Sequence, residues 1–199
     1  VLKETAMSNF KSHTYIMKRK SYTIVDCFQT IAVYLLAILF FTSHWGTSIV
    51  PSASMSPTLT KGTLLIISRQ PETVNYDDII TFLYDDEAPK LRGLLGDIAI
   101  RANGQEVYVK RVIGLPGDTI EVKDGNLIRN GEVIHSDYTA DPKITLYEMS
   151  SVTIPVDHYF VMGDNRNNSI DSHVFGPISK AQIYGKVIWL FKFPVDIWA

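Results

Sequence analysis

The chain has 199 residues and a formal net charge of −2, enough for one well-packed domain with a terminal extension. No global basic field is present, so we expect no nucleic-acid partner. The single cysteine, Cys27, excludes an intrachain disulfide and a Cys-based zinc site, and the five histidines show no metal-ligand spacing. We therefore expect neither a metal nor a cofactor.

The first predicted element is an apolar helix near the N-terminus. The run from Ile31 to Phe41 is unbroken, and its extension from Ile24 to Ser43 gives about 30 Å of helix, the thickness of a bilayer core. We predict a cytoplasmic tail over residues 1–21 and a membrane-spanning signal-anchor helix over residues 22–45. A cleaved signal peptide is the alternative, although no convincing small-residue cleavage site follows the run.

Charge on the two sides of this helix predicts its orientation. Positive residues precede it: Lys3, Lys11, Lys18, Arg19 and Lys20. No charged residue then appears until Lys61. By the positive-inside rule, the N-terminus lies in the cytoplasm and residues 46–199 lie outside. The chain begins with Val1, and Met7 is another candidate translation start.

Short β-type runs follow the helix, separated by turn residues. They are Thr63–Ser68, Ile79–Tyr84, Glu106–Ile113, Thr119–Val122, Leu127–Arg129, Glu132–Ile134, His158–Met162 and Ile183–Phe193. Asp124-Gly125-Asn126 and Asn130-Gly131 are typical hairpin turns, and residues 179–183 suggest a short helical turn. Residues 136–153 are polar and mixed, which suggests an excursion or a small subdomain, and we expect a variable excursion around residues 124–155. The predicted fold is mainly β: an antiparallel β catalytic domain with one N-terminal transmembrane helix.

Two segments after the apolar helix carry residues that suggest nucleophilic catalysis. Ser54 lies in a short turn-forming segment, after the small residues Ser52 and Ala53 and before Pro57. Lys110 lies inside an apolar strand, where alternation places it on the same face as Tyr108 and Val112. Serine needs a base to become a nucleophile, and a desolvated lysine can lose its proton and serve as that base. Each residue alone also fits a structural interpretation: a polar loop serine, and a lysine that reaches water from a sheet edge.

Three ordered motifs together resemble the type I signal peptidases, particularly the Gram-positive bacterial forms. The first is Ser-Met-x-Pro-Thr at Ser54–Thr58, soon after the anchor helix. The second is the run Tyr108–Asp118, and the third is Gly-Asp-Asn-Arg-x-x-Ser-x-Asp-Ser at Gly163–Ser172. The resemblance covers nearly the whole predicted architecture, from the anchor helix to the third motif.

The resemblance implies a role for each matching residue. Ser54 is then the nucleophile and Lys110 the general base, while Ser52 assists the oxyanion hole and Ser169 orients the lysine amine through a hydrogen bond. The residues implied to brace the site are Asp164, Arg166 and Asp171. The residues implied to line shallow pockets for small substrate side chains are Val50 and Val109.

The sequence departs from the family pattern at three places. Ala53 replaces a frequent glycine, and Tyr76-Asp77-Asp78 lacks the glycine that usually precedes the aspartate, for which Gly96-Asp97-Ile98 is a competing alignment. His173 replaces the arginine that usually follows Asp-Ser. If His173 contacts Asp171, it provides one donor per ring nitrogen instead of the bidentate contact of an arginine.

The expected activity is removal of signal peptides from exported preproteins by a membrane-anchored serine endopeptidase, through an acyl-enzyme. The resemblance implies the bacterial cytoplasmic membrane as its location, with exported preproteins and the lipid bilayer as partners. The sequence does not determine the oligomeric state, and we expect a monomer. The alternatives are a non-catalytic, peptidase-like assembly factor for secreted precursors such as pilins, and a signal peptidase dedicated to one substrate. The presence of both Ser54 and Lys110 favours an active enzyme.

Overall fold

The computed structural model describes residues 23–69, 71–84, 106–140 and 145–192. Helix α1 extends over Ile24–His44 and is long and apolar enough to cross a membrane. The structure ends the helix one residue before the predicted boundary, because Trp45 already pairs with Ser68 in the first strand.

The remaining described elements are eleven strands, one short helix and two 3₁₀ turns. The strands are β1 (Trp45–Ile49), β2 (Leu64–Ser68), β3 (Ile79–Leu83), β4 (Val107–Gly114), β5 (Thr119–Lys123), β6 (Asn126–Arg129), β7 (Glu132–Val133), β8 (Met149–Thr153), β9 (His158–Met162), β10 (Ile178–Ser179) and β11 (Ile183–Phe191). The short helix is α2 (Ser172–Phe175), and the 3₁₀ turns are Arg166–Asn168 and Lys180–Gln182.

The strands form two antiparallel sheets, which confirms the predicted fold class. The larger sheet has the order β1-β2-β11-β3-β4-β9-β10, and the smaller has the order β7-β6-β5-β8. Every strand pair between described residues is antiparallel. Strand β4 pairs with β3 over residues 107–111 and with β9 only from Arg111 onward.

The two predicted hairpin turns are both present, at the ends of β6. Asp124 and Gly125 have φ angles of 50° and 74°, and Asn130 and Gly131 have φ angles of 54° and 83°. Positive φ at both central positions is the geometry of a type I′ turn, which Asp-Gly and Asn-Gly adopt readily. These turns connect β5 to β6 and β6 to β7.

Three apolar clusters hold the sheets together. One lies under β3, β4 and β9 around Ile80, Phe82 and Val112. The second joins the small sheet to β4 and β9 through Ile113, Ile120 and other buried side chains. The third lies under the segment that follows β1, and its members are Val50, Met55, Leu59, Leu65, Ile67 and Val109. This third cluster fixes the segment that carries Ser54.

Candidate active site

Ser54 lies in a turn that is fastened at both ends. The main-chain N–H of Val50 donates to Thr63 O at 3.0 Å, and that of Gly62 donates to Val50 O at 2.9 Å. Between these bonds, the side chains of Met55 and Leu59 are fully buried in the third cluster. The apolar anchors leave the Ser54 side chain half-buried and directed toward β4.

Lys110 meets Ser54 from the middle of β4. Its side chain is only 4% exposed, and Nζ lies 2.8 Å from Ser54 Oγ and 3.1 Å from Val109 O. Burial lowers the pKa of the Lys110 amine below its ordinary value, against the opposing charges of Asp171 and Asp164. A lowered pKa increases the neutral fraction at physiological pH, and the neutral amine is the form that can accept a proton from the serine hydroxyl.

Two further serines of the sequence prediction lie beside this pair. Ser52 Oγ is 3.2 Å from Ser54 Oγ, so its hydroxyl is next to the oxygen of the candidate nucleophile. Ser169 lines the same cleft, but its buried Oγ has no hydrogen-bond partner among the described residues. The hydrogen bond from Ser169 to Lys110 that the resemblance implied is therefore not formed, since the amine is directed to Ser54 and Val109 instead. The orienting role of Ser169 stays a prediction.

The carboxylate of Asp164 pairs with an arginine of β4. Asp164 is fully buried and accepts two hydrogen bonds from Arg111, at 2.8 Å from Nε and at 2.7 Å from Nη2. Arg111 also donates to Asp77 O at 3.1 Å, and its guanidinium lies 3.8 Å from the centre of the Tyr138 ring. The sequence analysis assigned no role to Arg111, which directly follows Lys110 in β4 and therefore lies on the opposite face of the strand. Strand β4 therefore carries the candidate base on one face and, on the other, the arginine that binds Asp164 in the loop after β9.

Arg166 and Asp171 support the loop in separate ways. Arg166 Nε donates to Gly163 O at 3.1 Å, and no carboxylate of the described chain forms an ion pair with Arg166. Asp171 accepts the Gly163 N–H at 2.9 Å and contacts His173 Nδ1 at 2.6 Å. The contact between His173 and Asp171 is thus present. Both Arg166 and Asp171 fix Gly163, whose main chain lies against Ser54.

An open cleft of about 670 Å³ leads to the Ser54–Lys110 pair. Val50 and Val109 are 3% and 7% exposed, belong to the same buried cluster and line the cleft. Because β9 pairs with β4 only from Arg111 onward, the described strands leave this edge of β4 unpaired over Val107–Lys110. An extended peptide can add to such an edge through main-chain hydrogen bonds. Within the described ranges, no three His, Cys, Asp or Glu side chains converge where they could hold a metal ion.

Comparison with known proteins identifies relatives over most of the chain. The family model described as "Signal peptidase, peptidase S26" matches residues 22–192. The chain is 36% identical to "Probable signal peptidase I-2" of Synechocystis over 81% of its length and 69% of the relative. It is 35% identical to "Signal peptidase I P" of Bacillus subtilis subsp. natto over 90% of its length and 94% of the relative.

A solved structure gives a further comparison. A signal peptidase I from Enterococcus faecalis is 30% identical and aligns with a TM-score of 0.42, over 60% of this chain and all of that one. The family model and the relatives confirm the family that the three sequence motifs indicated. The chain belongs to the peptidase S26 family of signal peptidases.

Proposed function

We propose that this chain is a membrane-anchored serine endopeptidase that removes N-terminal signal peptides from exported preproteins by means of a Ser54–Lys110 dyad. The observation that carries the proposal is the distance of 2.8 Å between Ser54 Oγ and the amine of a lysine that is only 4% exposed. Names of the relatives support the substrate class, since they are signal peptidases. The apolar helix α1 is consistent with a membrane anchor.

Catalysis proceeds through two acyl transfers. The neutral amine of Lys110 takes the Ser54 hydroxyl proton while Ser54 Oγ attacks the scissile carbonyl carbon. The resulting oxyanion receives hydrogen bonds from the Ser52 hydroxyl and the Ser54 N–H. Collapse breaks the peptide bond, and the Lys110 ammonium returns its proton to the leaving amine of the mature protein. Lys110 then removes a proton from water as the water oxygen attacks the acyl-enzyme carbonyl. Breaking of the ester bond releases Ser54 Oγ, which takes that proton back from the Lys110 ammonium, and the signal peptide leaves as an acid that ionises in solvent to the carboxylate.

The geometry favours an active peptidase over a non-catalytic assembly factor. A factor that only holds precursors has no need of a buried lysine next to a serine hydroxyl, and burying an amine costs free energy. Here that amine is positioned within hydrogen-bond distance of the nucleophile. The small, exposed residues Ser52 and Ala53 before Ser54 also leave room for a peptide main chain to approach.

Cleavage of a model preprotein by full-length enzyme in detergent tests this proposal. We expect Lys110→Ala to reduce the rate to near background while the β domain stays folded. The matched control is Lys123→Ala, which removes an exposed lysine from β5 and is expected to retain the wild-type rate. Retention of more than about a tenth of the rate by Lys110→Ala, a loss under roughly 1.4 kcal/mol, would exclude the general-base role.

A further inference from the structure

Asn165 holds the main chain of the nucleophile segment by two hydrogen bonds. Its N–H donates to Ser54 O at 3.0 Å, and its side-chain Nδ2 donates to Ala53 O at 3.3 Å. Gly163 permits this close approach, because a Cβ at that position would lie 2.4 Å from Ser54 O. The loop that contains Asn165 thus holds, by hydrogen bonds, the two main-chain carbonyl groups on either side of the Ser54 Cα.

The side-chain bond acts on one particular peptide unit. Ala53 C=O and Ser54 N–H belong to the same planar peptide and point in opposite directions, so fixing the carbonyl fixes the direction of the N–H. Ala53 O accepts a second hydrogen bond, from the Ser56 N–H at 3.0 Å. Rotation of this peptide would therefore break both bonds at once.

The N–H at the other end of that peptide is available to a ligand. Among the hydrogen bonds between described residues, none uses the Ser54 N–H as its donor. In the proposed mechanism this N–H stabilises the oxyanion. A donor that is already aimed at the developing charge needs no reorganisation during the reaction, and a hydrogen bond accepted at the carbonyl end strengthens the N–H as a donor.

We propose that Asn165 is a positioning residue for the oxyanion hole, which acts through the Ala53–Ser54 peptide to orient and polarise the Ser54 N–H. This inference rests on the proposed function, because it assumes that Ser54 is the nucleophile. It makes Asn165 important for the transition state and unimportant for binding of the ground-state substrate.

The test measures kcat and KM for wild type and for Asn165→Ala. It also measures the affinity of both for a peptide aldehyde, which forms a tetrahedral adduct with the serine. We expect kcat to fall by about 10- to 100-fold with KM within about twofold of wild type. Aldehyde affinity should fall by a similar factor, while the acidic limb of the pH–rate profile stays in place because Lys110 is untouched. A role limited to loop stability would not produce this pattern.

Two further variants distinguish orientation of the Ser54 N–H from a general loss of loop stability. Asn126→Ala removes a comparable exposed bond in the turn between β5 and β6, Asn126 Nδ2 to Asp124 O at 3.0 Å, and should leave kcat unchanged. Asn165→Asp keeps the volume but cannot donate, so at the pH of its maximal rate it should lose at least as much kcat as Asn165→Ala. If Asn165→Ala does not fold, the kcat of Asn165→Asp still tests the inference.

Three results would overturn the inference: wild-type kcat in Asn165→Ala or Asn165→Asp, a loss confined to KM, or a lower kcat with unchanged aldehyde affinity. Failure of the proposed function has a different signature, since it would appear as retained cleavage in Lys110→Ala or Ser54→Ala. The two failures are therefore distinguishable.

Discussion

At the scale of single residues, the buried amine of Lys110 is the feature that links chemistry to stability. Its pKa is lowered by burial, so the folded state holds this proton less tightly than the unfolded chain does. Below the folded pKa both states are protonated, and the desolvation penalty is fully present. As the pH rises from the folded pKa toward the ordinary value of about 10.5, the folded state loses the proton first and the penalty is relieved.

The lowered pKa of Lys110 leads to a prediction for the stability of Lys110→Met. The variant should unfold at a higher temperature than wild type near neutral pH, and the difference should shrink as the pH rises to about 10. The measurement is thermal unfolding across the pH range, with the exposed-lysine variant Lys123→Met as a control whose difference stays constant. A Lys110→Met difference that grows with pH would show that the lysine pKa is not lowered.

The ion pair between Arg111 and Asp164 shows where sequence reasoning fails at this scale. Ser54 and Lys110 were predicted because ordered motifs surround them, although each residue alone had an equally good structural interpretation. The motifs do not predict which carboxylate pairs with which guanidinium group. That depends on the register of β4 against β9, in which Arg111 lies opposite Met162 and so comes next to the loop that follows. Arg166, the arginine nearer in sequence, binds a carbonyl instead.

At the scale of elements, turn chemistry was predictable and polar edge strands were not. The Asp-Gly and Asn-Gly turns have a specific backbone preference, so their positions and partners followed from the sequence. Strand β8, Met149–Thr153, lies in the segment expected to be a variable excursion or small subdomain, where no strand was predicted. Its residues Ser150 and Ser151 are exposed, and it pairs only with β5 among the described strands. A half-exposed edge strand lacks the alternating apolar pattern on which strand prediction depends.

The unpaired edge of β4 and the valines beside it predict a size limit for the substrate residue just before the scissile bond. Val50 and Val109 form a buried wall beside the Ser54–Lys110 pair, so a preprotein with leucine just before the scissile bond should be cut about 10- to 100-fold more slowly than one with alanine. Val109→Ala should restore part of the rate on the leucine substrate, because it enlarges the pocket. The control is Val133→Ala, an exposed position on β7. Equal rates for the two substrates in wild type would exclude the pocket assignment.

At the scale of the whole molecule, the charge distribution around α1 predicts a single orientation. Five positive residues precede the helix, and none appears after it until Lys61, so the N-terminal tail should lie in the cytoplasm and the β domain outside. External protease added to spheroplasts should digest the chain after Gly46 and leave an epitope on the tail intact. Protection of the β domain in intact spheroplasts would reverse the orientation and remove the basis for a role in export.

The central claim is that Ser54 and Lys110 form one catalytic unit, and a double-mutant cycle on preprotein cleavage tests it most directly. Residues that act as a unit show strongly non-additive losses, because removing either one already disables the shared step. We predict that Ser54→Ala, Lys110→Ala and the double variant, all folded by thermal unfolding, cleave at residual rates within about threefold of one another. A double variant whose loss is the product of the two single losses would contradict the dyad.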